Sequence, residues 1–288
     1  MTQWHEPEVG FAYQSACLSV TRAHQREKLA ACGTDDALFG NLADPAFFIG
    51  LAIDAGIRSG ISAQGNVNML QRLRMDRAVV LGEELTVHGR IVGLDEVPRG
   101  QRITSEVWFE DVAGRRVISA NRTSLRPDPA KLGVRGAGER PAPVIERLDA
   151  TELLAEYQLT AQRVCDYSME GNSIHYDEAA AIAAGFPAPL IGGGMGVHYL
   201  TAELWSQGAP QAFDAEIYFR RPIFWDDRLQ VVGLAEAMKN AGPTQSVGST
   251  AEKAWQALGL VRAGKVATEL RINQITALGP AAALQDSV

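Results

Sequence analysis

Glu170-Gly-Asn172-Ser-Ile-His175 brings a carboxylate, an amide and an imidazole close together in the chain, and Gly192-Gly-Gly194 follows at the head of an apolar run. A carboxylate and an imidazole held at one place form a general acid/base pair. Three glycines opening a helix leave bare backbone N–H groups that an oxyanion can approach. Both features also have plain structural uses, as a solvated ion pair and as a tight turn or close helix packing. Chemistry requires the fold to bring the two stretches to one site.

The elements that would do so are written twice. At a shift of 144 residues Tyr13-Gln14 falls on Tyr157-Gln158, Val20 on Val164, Pro45 on Pro189, Gly50 on Gly194, Arg77 on Arg221 and Leu85 on Leu229. Further on, Ala113-Gly114 falls on Ala263-Gly264, and the extra residues fit the Gly/Ser/Thr/Pro-rich stretch Lys239 to Thr250. Such an ordered series of markers reads as a duplication. Prolines and glycines without hydrophobic period lie between the copies, so we divide the chain into domains at 1–128 and 149–288 with a linker at 129–148.

Each copy has one long apolar helix, predicted over Pro45 to Arg58 and Leu190 to Trp205. Apolar residues cover most of the circumference, which marks a buried helix. Alternation predicts strands after each, at Leu85 to Val92 and Leu229 to Leu234. Two hairpins follow, Ile103 to Glu110 with Val117 to Leu125, and Lys253 to Leu260 with Val266 to Ile275, each turning at an Ala-Gly pair. The expected class is α+β: two tandem copies, each a curved antiparallel sheet wrapped around a central helix.

The 288 residues are 46% hydrophobic and 21% charged, as expected of a globular protein with a sizeable core, and the net charge of −7 gives nucleic acid binding no electrostatic support. Cys17, Cys32 and Cys165 are too irregularly spaced for a zinc site or a disulfide framework. Without a signal-like N-terminus or a membrane-length apolar run, we expect a cytoplasmic protein that binds no membrane.

The stretch Tyr167-Ser-Met-Glu-Gly-Asn-Ser-Ile-His-Tyr-Asp177, with Ala181, Gly185-Phe186 and Pro189-Leu-Ile-Gly-Gly193, resembles the motif of the MaoC-like or (R)-specific enoyl thioester hydratases and dehydratases. A second stretch, Tyr218-Phe-Arg-Arg-Pro-Ile-Phe224, looks like that family's Arg-Phe-x-x-Pro strand, and its sequel Asp226-Asp-Arg-Leu229 resembles the usual Gly-Asp-x-Leu. The resemblance covers the second copy. The first copy shows Arg26 to Ala31 opposite Glu170 to His175 and lacks the histidine, as in fused double hot-dog members with one active half.

The resemblance implies a lyase that adds water to, or removes it from, the C2=C3 bond of an enoyl thioester of coenzyme A or a carrier protein, with no metal and no further cofactor. Glu170 and His175 would be the acid/base pair, Asn172 would steady it, and the backbone at Gly193 and Gly194 would receive the enolate oxygen. Arg220 and Arg221 would contact a coenzyme A phosphate or be ordinary solvated strand residues. His24, His88 and His198 are read as structural, and Phe47 and Phe48 as candidates for shaping the acyl pocket. Two features depart from the family pattern: Glu170 stands where the family has Asp, and Gly192 where it has His. A thioesterase and a non-catalytic acyl-thioester-binding protein are the alternatives, and both a monomeric pseudo-dimer and a homodimer fit.

Overall fold

The computed structural model describes residues 4–131, 134, 136, 138–168, 172–235 and 254–279. Among these residues, ten strands form one antiparallel sheet. They are β1 (Ala16–Leu18), β2 (Val67–Met75), β3 (Leu85–Val97), β4 (Gly100–Glu110), β5 (Arg116–Pro127), β6 (Glu152–Gln158), β7 (Ala209–Phe219), β8 (Arg228–Ala235), β9 (Trp255–Arg262) and β10 (Lys265–Gly279). Their order is β1-β3-β4-β5-β2-β7-β10-β9-β8-β6. Read outward from the central β2–β7 pair, the two wings repeat one topology. That pair runs in register from Leu70 opposite Tyr218 to Met75 opposite Phe213, and the Arg72–Asp214 ion pair, at 2.6 Å, crosses the seam.

Among the described residues, five α-helices accompany the sheet: α1 (Arg22–Cys32), α2 (Phe47–Arg58), α3 (Ala161–Ser168), α4 (Glu178–Ala183) and α5 (Gly193–Trp205). Local chemistry sets their ends. Thr21 caps α1 by accepting from the N–H of His24, and Gly33, at φ 75°, closes it in the left-handed conformation that glycine adopts without strain. Asp177 caps α4 through the N–H of Ala180.

Helices α2 and α5 share one core with both wings. Phe48 meets Phe109 edge-to-face at 4.9 Å, Tyr199 lies 4.4 Å from Tyr157, and Trp205 packs between Phe39 and Phe213. Burial of such side chains stabilises the fold by roughly 1.5–3 kcal/mol apiece.

Several elements differ from the sequence expectation. The long helices start later, at Phe47 and Gly193, because Pro45 and Leu190–Gly192 remain outside the helical ladder. Helix α2 is not buried all round: Gly50, Ile53, Asp54 and Ile57 border a cavity. Strand β7 stops at Phe219, so Arg220 and Arg221 are not strand residues. The second hairpin turns at Ala263-Gly264, both at positive φ, while the predicted strand start at Lys253 and the loop Lys239 to Thr250 lie outside the described residues.

Candidate active site

The turn Ser173–His175 places the imidazole, which is half-buried at the edge of a cavity. Its Nδ1 lies 2.7 Å from the carbonyl oxygen of Leu190. A carbonyl can only accept, so Nδ1 carries the proton and Nε2 is left as a lone-pair acceptor. Burial pushes the imidazole pKa down and the carbonyl contact only partly offsets it, so the ring is neutral at neutral pH. Between the opposing effects of burial and neighbours, burial wins.

Leu190 returns this link through the backbone, its N–H donating to the carbonyl of Ile174 at 3.3 Å, while Ile191 N–H donates to Ile223 at 2.9 Å. The chain thus stays extended until Gly192, and α5 begins directly beside the histidine. A Cβ on Gly192 would stand 3.9 Å from His175 Nε2. Gly192 supplies no side-chain cap, which leaves the first N–H groups of α5 open at the positive end of the helix dipole. A Cβ on Gly193 would fall 2.4 Å from Asn68 Nδ2, and one on Gly194 would lie 3.0 Å from the Tyr167 hydroxyl. Close approach by two polar side chains therefore leaves little room for a side chain at Gly193 or Gly194.

The turn before the corresponding helix of the first wing differs in its chemistry. Asp44 Oδ1 accepts from the N–H of Ala46 at 2.9 Å, and Asp44 Oδ2 lies 2.6 Å from His198 Nδ1. Both Asp44 and His198 are fully buried. Asp44 thus places a buried carboxylate in the turn before α2, and the matching turn before α5 carries no acidic side chain.

Glu170 lies outside the described residues. Among the described residues, the Asn172 side chain makes no hydrogen bond to His175. Its Oδ1 accepts from Gly65 N–H at 3.1 Å and its Nδ2 donates to the Asn66 carbonyl at 3.3 Å, with Gln64 reaching Ser173 beside it. The amide fastens the histidine turn to a loop of the first wing. Lys28, missed by sequence reasoning, acts from the same side. Buried to 6% exposure, it donates to the carbonyls of Asp166 and Tyr167 at 3.2 and 3.1 Å, holding the end of α3 from which the Glu170 segment departs. Its one sequence signal is that it falls opposite Asn172 at the 144-residue shift.

Arg220 corrects both sequence readings. It is neither solvated nor free for a phosphate: its Nε donates to Glu269 at 2.7 Å and its Nη atoms donate to the carbonyls of Pro141 and Ala142. Glu269 is fully buried and also accepts from the N–H groups of Val144 and Ile145, so this pair pins the linker to the sheet. Arg221 is exposed and spends one donor on the Val266 carbonyl.

A cavity of about 600 Å³ joins these parts. His175, Gly192–Gly194, Tyr167 and Asn172 border it, as do Asn68 and Arg122 of the first wing. Phe47, Ile53, Ile57, Met69 and Leu125 supply apolar wall, whereas Phe48 packs on Phe109 and is not part of it. Arg99, Arg140 and Arg221 border its solvent side, two of them unforeseen. Its size suits a small-molecule ligand. Among the described residues, no cluster of His, Cys, Asp and Glu could hold a metal ion, and no helix is long and apolar enough to cross a membrane.

No family model and no curated protein matches the sequence. Solved structures do share its architecture. A MaoC-like dehydratase from Phytophthora capsici aligns at TM-score 0.64 and 16% identity over 92% of this chain and 96% of its own. A Mycobacterium tuberculosis protein described as a double hot dog aligns at TM-score 0.59 and 16% identity over 92% and 95%. The fold is the double hot dog. HtdX of M. tuberculosis shares it at TM-score 0.69 and 17% identity over 90% and 98%. So does a candidate oleoyl thioesterase from Lactobacillus plantarum, at 0.55 and 12% over 93% and 97%. Identities this low establish the double hot dog as a fold and leave activity to the site itself.

Proposed function

We propose that this double hot-dog protein is a cofactor-independent hydratase or dehydratase acting on a 2-enoyl or 3-hydroxyacyl thioester, with one active site per chain. Residues 1–128 and 149–288 form its two hot-dog domains, and the second supplies the chemistry. The carrying observation is the His175 ring, whose Nδ1 is committed to Leu190 and whose Nε2 is left basic beside the open start of α5.

In the hydration direction a water oxygen bonds to C3 as the C2=C3 electrons move toward C2 and the thioester oxygen. Glu170 takes one proton of that water and passes it through His175 Nε2 to C2, while the second hydrogen stays on the new C3 hydroxyl, so both side chains end as they began. The N–H groups of Gly193 and Gly194 stabilise the negative oxygen as it forms, an effect that rises with charge development and so lowers the barrier. Asn172 and Lys28 hold the histidine turn and the preceding segment. Arg99, Arg140 and Arg221 receive phosphates of the thioester carrier at the solvent side.

Hydration of crotonyl-CoA, followed by loss of the conjugated thioester chromophore, tests this reading in wild type and in His175→Ala. A thioesterase would instead release free thiol, and the thioesterase fold relative makes that a necessary parallel measurement.

A further inference from the structure

The arginines within this sheet generally hold a carboxylate: Arg72 with Asp214, Arg90 with Glu106, Arg262 with Asp227 and Arg271 with Glu216. Arg122 of β5 is an exception. Its Nε donates to Asn68 Oδ1 at 2.5 Å, and the Tyr13 phenol is a further neighbour. Among the described residues it forms no ion pair with a carboxylate, yet it is half-buried and borders the cavity. Desolvation pushes its pKa down to about 10, which still leaves it charged at neutral pH. A charge taken from water in this way calls for a counter-charge.

The place of Arg122 limits what can supply it. Its partner Asn68 is the side chain whose Nδ2 stands against Gly193. Only one asparagine amide therefore separates the guanidinium from the backbone that receives the thioester oxygen. A ligand group reaching Arg122 must be attached within a few bonds of the thioester carbon.

We propose that Arg122 pairs with a carboxylate carried on the acyl group, so that the preferred substrates are short enoyl thioesters bearing a second carboxylate. This rests on the thioester reading above and narrows it. A carboxylate can take parallel hydrogen bonds from the planar guanidinium, whereas a plain alkyl chain leaves that charge dehydrated and unpaired.

Two matched pairs test the proposal: 3-carboxypropenoyl-CoA against crotonyl-CoA, and 4-carboxy-2-butenoyl-CoA against 2-pentenoyl-CoA, each differing by carboxylate for methyl. Wild type should favour the carboxylate in at least one pair by about tenfold or more in kcat/KM. That ratio should fall by about 30-fold in Arg122→Gln and partly survive in Arg122→Lys. Preference for the methyl compounds in both pairs, or equal losses for both members in Arg122→Gln, overturns it, the latter reducing Arg122 to a support for Asn68.

If wild type turns over no thioester, the hydratase reading fails separately. Calorimetry with succinyl-CoA and butyryl-CoA then decides the Arg122 assignment. Tighter binding of succinyl-CoA that disappears in Arg122→Gln upholds it, and equal affinities in wild type refute it.

Discussion

Replacing Gly193 by alanine should separate catalysis from stability, because the two respond to different consequences of one methyl group. Gly193 is the first residue of α5 and is not held in the left-handed region, so alanine meets no backbone strain there. Helix propensity alone would favour alanine by about 1 kcal/mol. Against that, the new Cβ would stand 2.4 Å from Asn68 Nδ2 and 3.1 Å from the Phe219 ring. Ordinary contact needs roughly 3.5 Å, so the Asn68 amide must retreat by about 1 Å. Overpacking of this kind costs about 1–3 kcal/mol, which leaves a net destabilisation no greater than about 2 kcal/mol.

Catalysis has no such compensation. The methyl group crowds the open N–H groups at the start of α5, and a displacement of about 1 Å at a reacting group costs on the order of 100-fold. Urea unfolding and kcat/KM for an enoyl thioester, measured on the same preparation, should show a folded protein with about 100-fold lower activity. A folded Gly193→Ala protein with wild-type kcat/KM would refute the placement of the thioester oxygen at this helix start.

Further tests address other parts of the site. Since burial lowers the His175 pKa, the unfolded chain takes up its proton near pH 6.5 while the folded ring stays neutral. Its stabilising contribution is therefore full above about pH 6.5 and is lost as pH falls toward the folded value. Urea titrations should show the stability slope over that window reduced in His175→Gln, and the same slope in both proteins would contradict it. Arg220→Met strands the buried Glu269 and should destabilise by about 3–5 kcal/mol, read from the urea midpoint. A change below about 1 kcal/mol would show that the pair does not pin the linker. Asn172→Ala removes two cross-wing hydrogen bonds and should cost about 1–3 kcal/mol together with a fall in kcat, whereas a fall in kcat at unchanged stability would point to direct contact with the reacting groups.

Much of the helix and hairpin layout was legible because it rests on local signals. Apolar runs marked α2 and α5, and Ala-Gly pairs marked the turns of both hairpins. The central strands β2 and β7 were harder, since Val67–Met75 alternates with polar residues such as Gln71 whose burial depends on strands far away in sequence. In the site, the spacing of His175 and the glycines pointed to one place, but their meeting depends on the Leu190 carbonyl, which any residue type would supply. Lys28, Asn68 and Arg122 come from the other wing and carry no local pattern. Arg220 looked free because its partner, Glu269, lies on another strand.

The most direct test of the account is a single comparison, crotonyl-CoA hydration by wild type and by His175→Ala, with free thiol followed in parallel. Wild type should form the 3-hydroxyacyl thioester with no thiol release, and the variant should lose about 10²–10⁴-fold in rate. Thiol release without hydration, or an unchanged rate in His175→Ala, would contradict it.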